Sequence, residues 1–157
     1  MDQVRIVPGG EGQRLPLPLA SLTVKGVSSG ESVDHLFGVL HAEAGFAGPG
    51  PHAHREHEEF FYILSGEFDF FVGEKTVRVG EGTFISIPAG MPHDFCNPTQ
   101  QPASLAVFGA PNEIDCYAAV NGDPRPSDSL QLRSGSTIER IADTPSGHWA
   151  KAISPPQ

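Results

Sequence analysis

Two stretches decide the reading of this chain: Pro51-His52-Ala53-His54-Arg55-Glu56-His57-Glu58-Glu59 and Pro88-Ala89-Gly90-Met91-Pro92-His93. Side chains alternate along an extended segment, so His52 and His54 share a face and both imidazoles can aim at one point. A carboxylate must then come round to the same point. The parity changes between His54 and Glu59, so a bend is expected over the polar residues Arg55 to Glu58. Pro88, Gly90 and Pro92 spell a turn that could return His93 to the first pair. The spacing is compatible with three imidazoles and one carboxylate on one ion, without by itself proving such a site.

Gly82, Pro88, Gly90, His93 and Asn97 stand at every fixed position of the pattern G-x5-P-x-G-x2-H-x3-N. His52, His54, Glu59 and Gly66 fit G-x5-H-x-H-x3-4-E-x6-G, with one departure, Phe46 where the opening glycine belongs. Gly45 and Gly48 lie close by, so the loop shape is expected to differ and the ligand set to stand. On these residues the chain resembles the cupins over roughly residues 35 to 110. The resemblance implies a double-stranded β-helix, a jelly-roll barrel open at one end. It also implies that His52, His54, Glu59 and His93 are the metal ligands.

Composition bounds the rest. The 157 residues suit one domain with a sizeable core. Gly 18 and Pro 15 favour short strands and many turns over long helices. Lys+Arg 10 against Asp+Glu 19 gives a formal charge of −9, and no basic cluster interrupts it, so a nucleic-acid partner is not expected. The start, Met1-Asp2-Gln3-Val4-Arg5, has no apolar h-region, and no run reaches membrane-spanning length. Cys96 and Cys116 make no disulfide framework, and the cytoplasm is the expected compartment.

Taken in order, residues 1–20 read as an irregular N-terminal arm, 21–120 as the barrel, and 121–157 as a linker and weakly structured C-terminal tail. Strands are expected over Ser21–Val27 and Asp34–Ala44, the latter with Leu36, Gly38 and Leu40 on one face. Glu59–Ser65 is apolar on both faces. If Glu59 faces the ion, Phe61 and Ile63 share its side. Phe68–Val72 and Thr76–Val79 form a hairpin over Gly73-Glu74-Lys75. Thr83–Ile87, a strand from His93 and Ser104–Gly109 complete an all-β set. Thr137–Ala142 reads as a short helix, while Pro111–Val120 is open between strand and helix.

His35, His41 and His148 read as ordinary surface or core histidines, and His57 as a solvated loop residue. Glu56 and Glu58 compete with Glu59, but Glu59 alone leaves six residues before Gly66. Cys96, three residues after His93, falls on the opposite face as a buried thiol.

Three imidazoles and a carboxylate favour one divalent transition metal: Fe, Mn, Ni, Co or Zn. The phrases H-x-H-R-x-x-x-E-x-F-Y-x-L-x-G-E-F and V-G-x-x-T-V-x-V-G-x-G, from His52 to Gly82, resemble the small quercetinase-like cupins. That likeness implies a dioxygenase taking an enolic, flavonol-like or aromatic small molecule together with dioxygen, with Glu59 both ligand and catalytic base. The alternatives are a redox-neutral polyketide cyclase or isomerase and a non-enzymatic metal or small-molecule binder. Phe61 stands where dimethylsulfoniopropionate lyases have tyrosine, which speaks against that variant. A homodimer is expected, formed by pairing Ser21–Val27 across an interface.

Overall fold

The computed structural model describes residues 6–29, 34–54, 57–109 and 138–140. They form eleven strands and no helix: β1 (Gln13–Leu17), β2 (Ala20–Ser29), β3 (Asp34–Ala42), β4 (His52–His54), β5 (Glu59–Ser65), β6 (Glu67–Val72), β7 (Lys75–Gly80), β8 (Phe84–Ile87), β9 (His93–Cys96), β10 (Ala103–Gly109) and β11 (Ile138–Arg140). Every pairing is antiparallel. One sheet runs β1-β2-β3-β10-β5-β8 and the other β11-β4-β9-β6-β7. Among the described residues, no helix is long and apolar enough to cross a membrane.

Alternation along the strands builds the core. In β5, Glu59, Phe61 and Ile63 are buried, while Tyr62 and Leu64 are exposed. In β3, Leu36 and Leu40 are fully buried, and Phe37 on the other face is exposed. β6 and β9 add Phe68, Phe70 and Phe95 to the same interior. The rings of Phe61, Phe70 and Phe95 meet at 5.1 to 5.3 Å between centroids. Such pairs add about 0.5–1.5 kcal/mol each beyond the area they bury. This aromatic floor lies directly under the site, with Phe61 at 6.4 Å from the His93 ring.

Three expectations are corrected. The arm expected over residues 1–20 contains β1, which pairs with β2 from Gln13↔Val24 to Leu17↔Ala20. Pro18 and Leu19 make the connecting turn, and Leu19 takes φ 56°, a conformation in which glycine is usual. The absence of a glycine there hid the hairpin. Lys25, at the register shift between β2 and β3, donates to the carbonyls of Pro8, Gly9 and Glu11 and fastens the arm to the sheet. Second, because β1 covers it, the strand named as the dimer edge is internal. Third, Ile138–Arg140, inside the segment expected to be helical, is β11 and pairs with β4. The expectations for 111–129 and for His148 lie outside the described residues.

Candidate metal centre

His52 and His54 sit on β4, a three-residue strand that pairs with β9 at His52↔His93. That register sets His93 beside the first pair. Gly90 donates its N–H to the carbonyl of His54 at 2.7 Å, tying the turn before β9 to the end of β4. Glu59 opens β5 in the opposite sheet, so the cluster joins both layers. One ligand atom from each of His52, His54, Glu59 and His93 lies within 4.8 Å of the others, and all four residues are buried. The structure thus brings together all four residues named from the sequence. Glu58 is exposed and His57 half-buried; Glu56 lies outside the described residues.

The ring orientations suit a cation. The His52 Nδ1–H donates to the Gly50 carbonyl at 2.7 Å, and the His93 Nδ1–H to the Met91 carbonyl at 2.9 Å. Those bonds turn both Nε2 atoms toward the cluster, the usual arrangement for metal-binding imidazoles. His93 Nε2 is 2.7 Å from Glu59 Oε2, and His54 Nε2 is 3.3 Å from the same oxygen. Both ring nitrogens of His54 are buried without a hydrogen-bond partner among the described residues. Leaving a buried polar atom unsatisfied costs about 1–3 kcal/mol. A divalent ion accepting the His54 Nε2 lone pair would remove that cost. The donor set of three nitrogens and one oxygen therefore fits a first-row divalent ion.

Electrostatics point the same way. Burial, and then the neighbouring His93, pushes the His52 imidazole down to about 4, so this ring is neutral and ready to ligate. Burial alone would raise the Glu59 carboxyl, but the adjacent His54 and His93 rings outweigh it and hold the group ionised. Burial lowers His93, but the Glu59 carboxylate reverses the balance and raises it. His93 faces an acceptor at each nitrogen, Met91 O and Glu59 Oε2, and satisfying both requires the imidazolium. Two electron pairs thus converge between His93 Nε2 and Glu59 Oε2, a place that a cation would fill.

The sequence reading did not single out Asp94, which is buried on β9 between two inward residues. Its carboxyl is raised to about 7, by burial first, against opposing hydrogen bonds from the Phe95 and Gly50 backbones. The departure at Phe46 is also resolved. Phe46 is buried and packs 6.2 Å from Phe95. Gly48 is the glycine the loop requires, at φ +92°, where an added Cβ would stand 2.0 Å from the Phe95 carbonyl oxygen. Asn97 holds the start of the same loop, donating to the Glu43 carbonyl at 3.1 Å and receiving the loop through its own N–H to Phe46 O at 2.9 Å. Cys96 lies on the outer face as expected but is half-buried, with its thiol pushed up to about 11 by burial and by Asp69 and Asp94.

Residues 38–109 match the family model described as the cupin domain. An uncharacterised protein of Streptomyces coelicolor is 33% identical over 61 residues, which are 39% of this chain and 55% of that protein. The chain thus spans just over half the length of this curated relative. Among solved structures, Streptomyces Pac13 with uridine aligns at TM-score 0.55 and 20% identity, over 71% of this chain and 84% of that one. Pac13 is called a nucleoside dehydratase. The polyketide cyclase RemF of Streptomyces resistomycificus aligns at TM-score 0.58 and 20% identity, over 68% and 79%. At such identities these likenesses speak for the fold alone.

Proposed function

We propose that this chain, a member of the cupin family, is a metal-dependent enzyme acting on a small organic molecule by a redox-neutral reaction. The observation that carries the proposal is the buried cluster of His52, His54, Glu59 and His93. A divalent ion held there would lower the pKa of a substrate oxygen and orient it. Among the described residues, Glu59 is the buried carboxylate that the imidazoles face, and its position makes it the group to receive a proton from substrate. Its hydrogen bond to His93, with His54 Nε2 3.3 Å away, holds Oε2 in place for that transfer. Phe61, Phe70, Phe95 and Ile87 pack as apolar core around the cluster, surroundings that favour an aromatic or polyketide-like body over a charged one. The names dehydratase and cyclase carried by two similar folds support a reaction without net oxidation.

The quercetinase-like phrase from His52 to Gly82 favours a second reading, the dioxygenase that consumes dioxygen. The two readings separate on one experiment. Protein reconstituted with each of the five metals is given a panel of enolisable polyketide-like and hydroxylated aromatic compounds, with and without dioxygen. The redox-neutral reading expects product under nitrogen at the aerobic rate, abolished by a chelator. Turnover that requires dioxygen, with oxygen consumed stoichiometrically, would establish the dioxygenase instead. Metal binding without turnover of any compound would leave a binding protein.

A homodimer also belongs to this proposal. With β2 internal, the larger sheet ends in β1 on one side and β8 on the other, and edge pairing of β1 between two copies would cover the N-terminal edge. Light scattering is expected to give twice the 16.7 kDa chain mass, and a value at the chain mass rejects the dimer.

A further inference from the structure

We propose that Asp94 is a positioning residue for the metal centre, acting on His52 through the Gly48–Gly50 loop; this rests on the metal-binding reading above. Asp94 is adjacent to His93 but points to the other face of β9, so it cannot reach the cluster itself. It is 7% exposed, and among the described residues no cation is paired with it. Its partners among the described residues are backbone. The Phe95 N–H donates to Asp94 Oδ1 at 2.8 Å. The same oxygen lies so close to Gly48 that a Cβ built there would meet it at 2.7 Å. The Gly50 amide lies close enough to favour the ionised carboxylate as well. One peptide further on, the Gly50 carbonyl accepts the Nδ1–H of His52 at 2.7 Å.

The contacts form a single relay. β9 presents Asp94, Asp94 braces the loop at Gly48, and the Gly50 carbonyl at the end of that loop fixes the tautomer and ring plane of His52. His93 and Asp94 are consecutive, so one strand sets a ligand with its inner face and the orientation of a second ligand with its outer face. A buried carboxylate that meets only amides among the described residues is costly to keep. The relay supplies a reason for it, because groups that orient a ligating imidazole typically change metal affinity ~10–100-fold when removed.

The test uses Co²⁺ as the probe and compares wild type with Asp94→Asn, Asp94→Ala and the remote core truncation Leu40→Ala. Asp94→Asn keeps the size and one acceptor oxygen where the carboxylate has two. The proposal expects Co²⁺ affinity to fall about tenfold or more in Asp94→Ala, with a smaller loss in Asp94→Asn. The visible spectrum of bound Co²⁺ should shift, and Leu40→Ala should change neither affinity nor spectrum. An equal loss in Leu40→Ala would assign the effect to general loosening and overturn the relay.

A second readout needs no metal. In the ¹⁵N-labelled metal-free protein, the ring nitrogens of His52 should report Nδ1–H in wild type and a tautomer mixture in Asp94→Asn. An unchanged tautomer overturns the relay even if affinity falls. If wild type binds no Co²⁺, the metal reading fails while the tautomer measurement still decides the coupling of Asp94 to His52. If Asp94→Ala does not fold, Asp94→Asn carries both readouts.

Discussion

His93 Nε2 lies 2.7 Å from Glu59 Oε2 although the two residues are 34 positions apart and belong to different sheets. The contact is buried and spans the barrel, so it couples the closure of the two layers to the chemistry of the site. It also makes Glu59 the side chain with two possible duties, ligand and base.

Those duties can be separated by Glu59→Gln. The amide oxygen can still ligate, but it is an extremely weak base. The variant is expected to keep a measurable share of bound metal and to lose turnover by ~10²-fold or more, the usual scale of acid–base catalysis. Supplying the substrate already deprotonated, at higher pH, should recover part of the loss. Wild-type turnover at normal metal content would leave Glu59 as a ligand only.

Acid should weaken the metal site, while in the metal-free fold His52 and Asp94 should pull in opposite directions. The His52 pKa falls from 6.5 to about 4 in the folded protein, by burial first and then by His93. Between those values the unfolded chain binds a proton that the folded chain refuses, so this contribution is full above 6.5 and lost as pH falls toward 4. Glu59, with its lowered pKa, acts in the same sense at more acidic pH. His93 opposes them, since a raised pKa gives stability that is present in acid and lost as pH rises through the folded value. Asp94 opposes them too, because its carboxyl pKa rises from 3.8 to about 7 on folding. The urea midpoint of the metal-free protein should therefore change little through the His52 window, whereas metal-free Asp94→Asn, which lacks that opposition, should show it fall. Protons compete with metal for the same nitrogens, so bound metal should be released over the same range. Metal titrations releasing no protons there would contradict the arrangement.

Gly48→Ala and Gly73→Ala form a matched pair in the left-handed region, at φ +92° and +56°. A Cβ at Gly73 meets nothing within 4 Å, so only the conformational cost of ~1–2 kcal/mol applies. At Gly48 the new atom would strike the Phe95 carbonyl oxygen at 2.0 Å, and backbone of a central strand cannot step aside. Denaturant unfolding should show a clearly larger loss for Gly48→Ala, accompanied by weakened metal binding. Equal losses would mean that the loop does not press on β9.

The site was legible in the sequence because its four residues carry their own spacing. His52 and His54 share a strand face, Glu59 is fixed by counting to Gly66, and His93 by its Pro-Gly turn. The core faces of β3 and β5 followed from alternation in the same way. The misses have physical causes. β1 escaped because its turn uses Pro18 and Leu19 where glycine is usual, and β11 because Ile138–Arg140 is too short to show a period. Asp94 left no local signal at all. An acidic residue on the outward face of a strand reads as solvated, and only the Gly48–Gly50 loop folded over β9 makes it buried.

The central claim is that His52, His54, Glu59 and His93 hold one divalent ion, and the metal content of wild type and His54→Ala tests it most directly. Both proteins are purified identically without added metal, loaded with one divalent ion at a time, and measured by elemental analysis. Far-UV circular dichroism is recorded on the same samples. The account predicts one ion per chain in wild type and a sharp loss in His54→Ala, with the β signal kept in both. Full occupancy in His54→Ala, or no bound ion in folded wild type with any of Fe, Mn, Ni, Co or Zn, would contradict it.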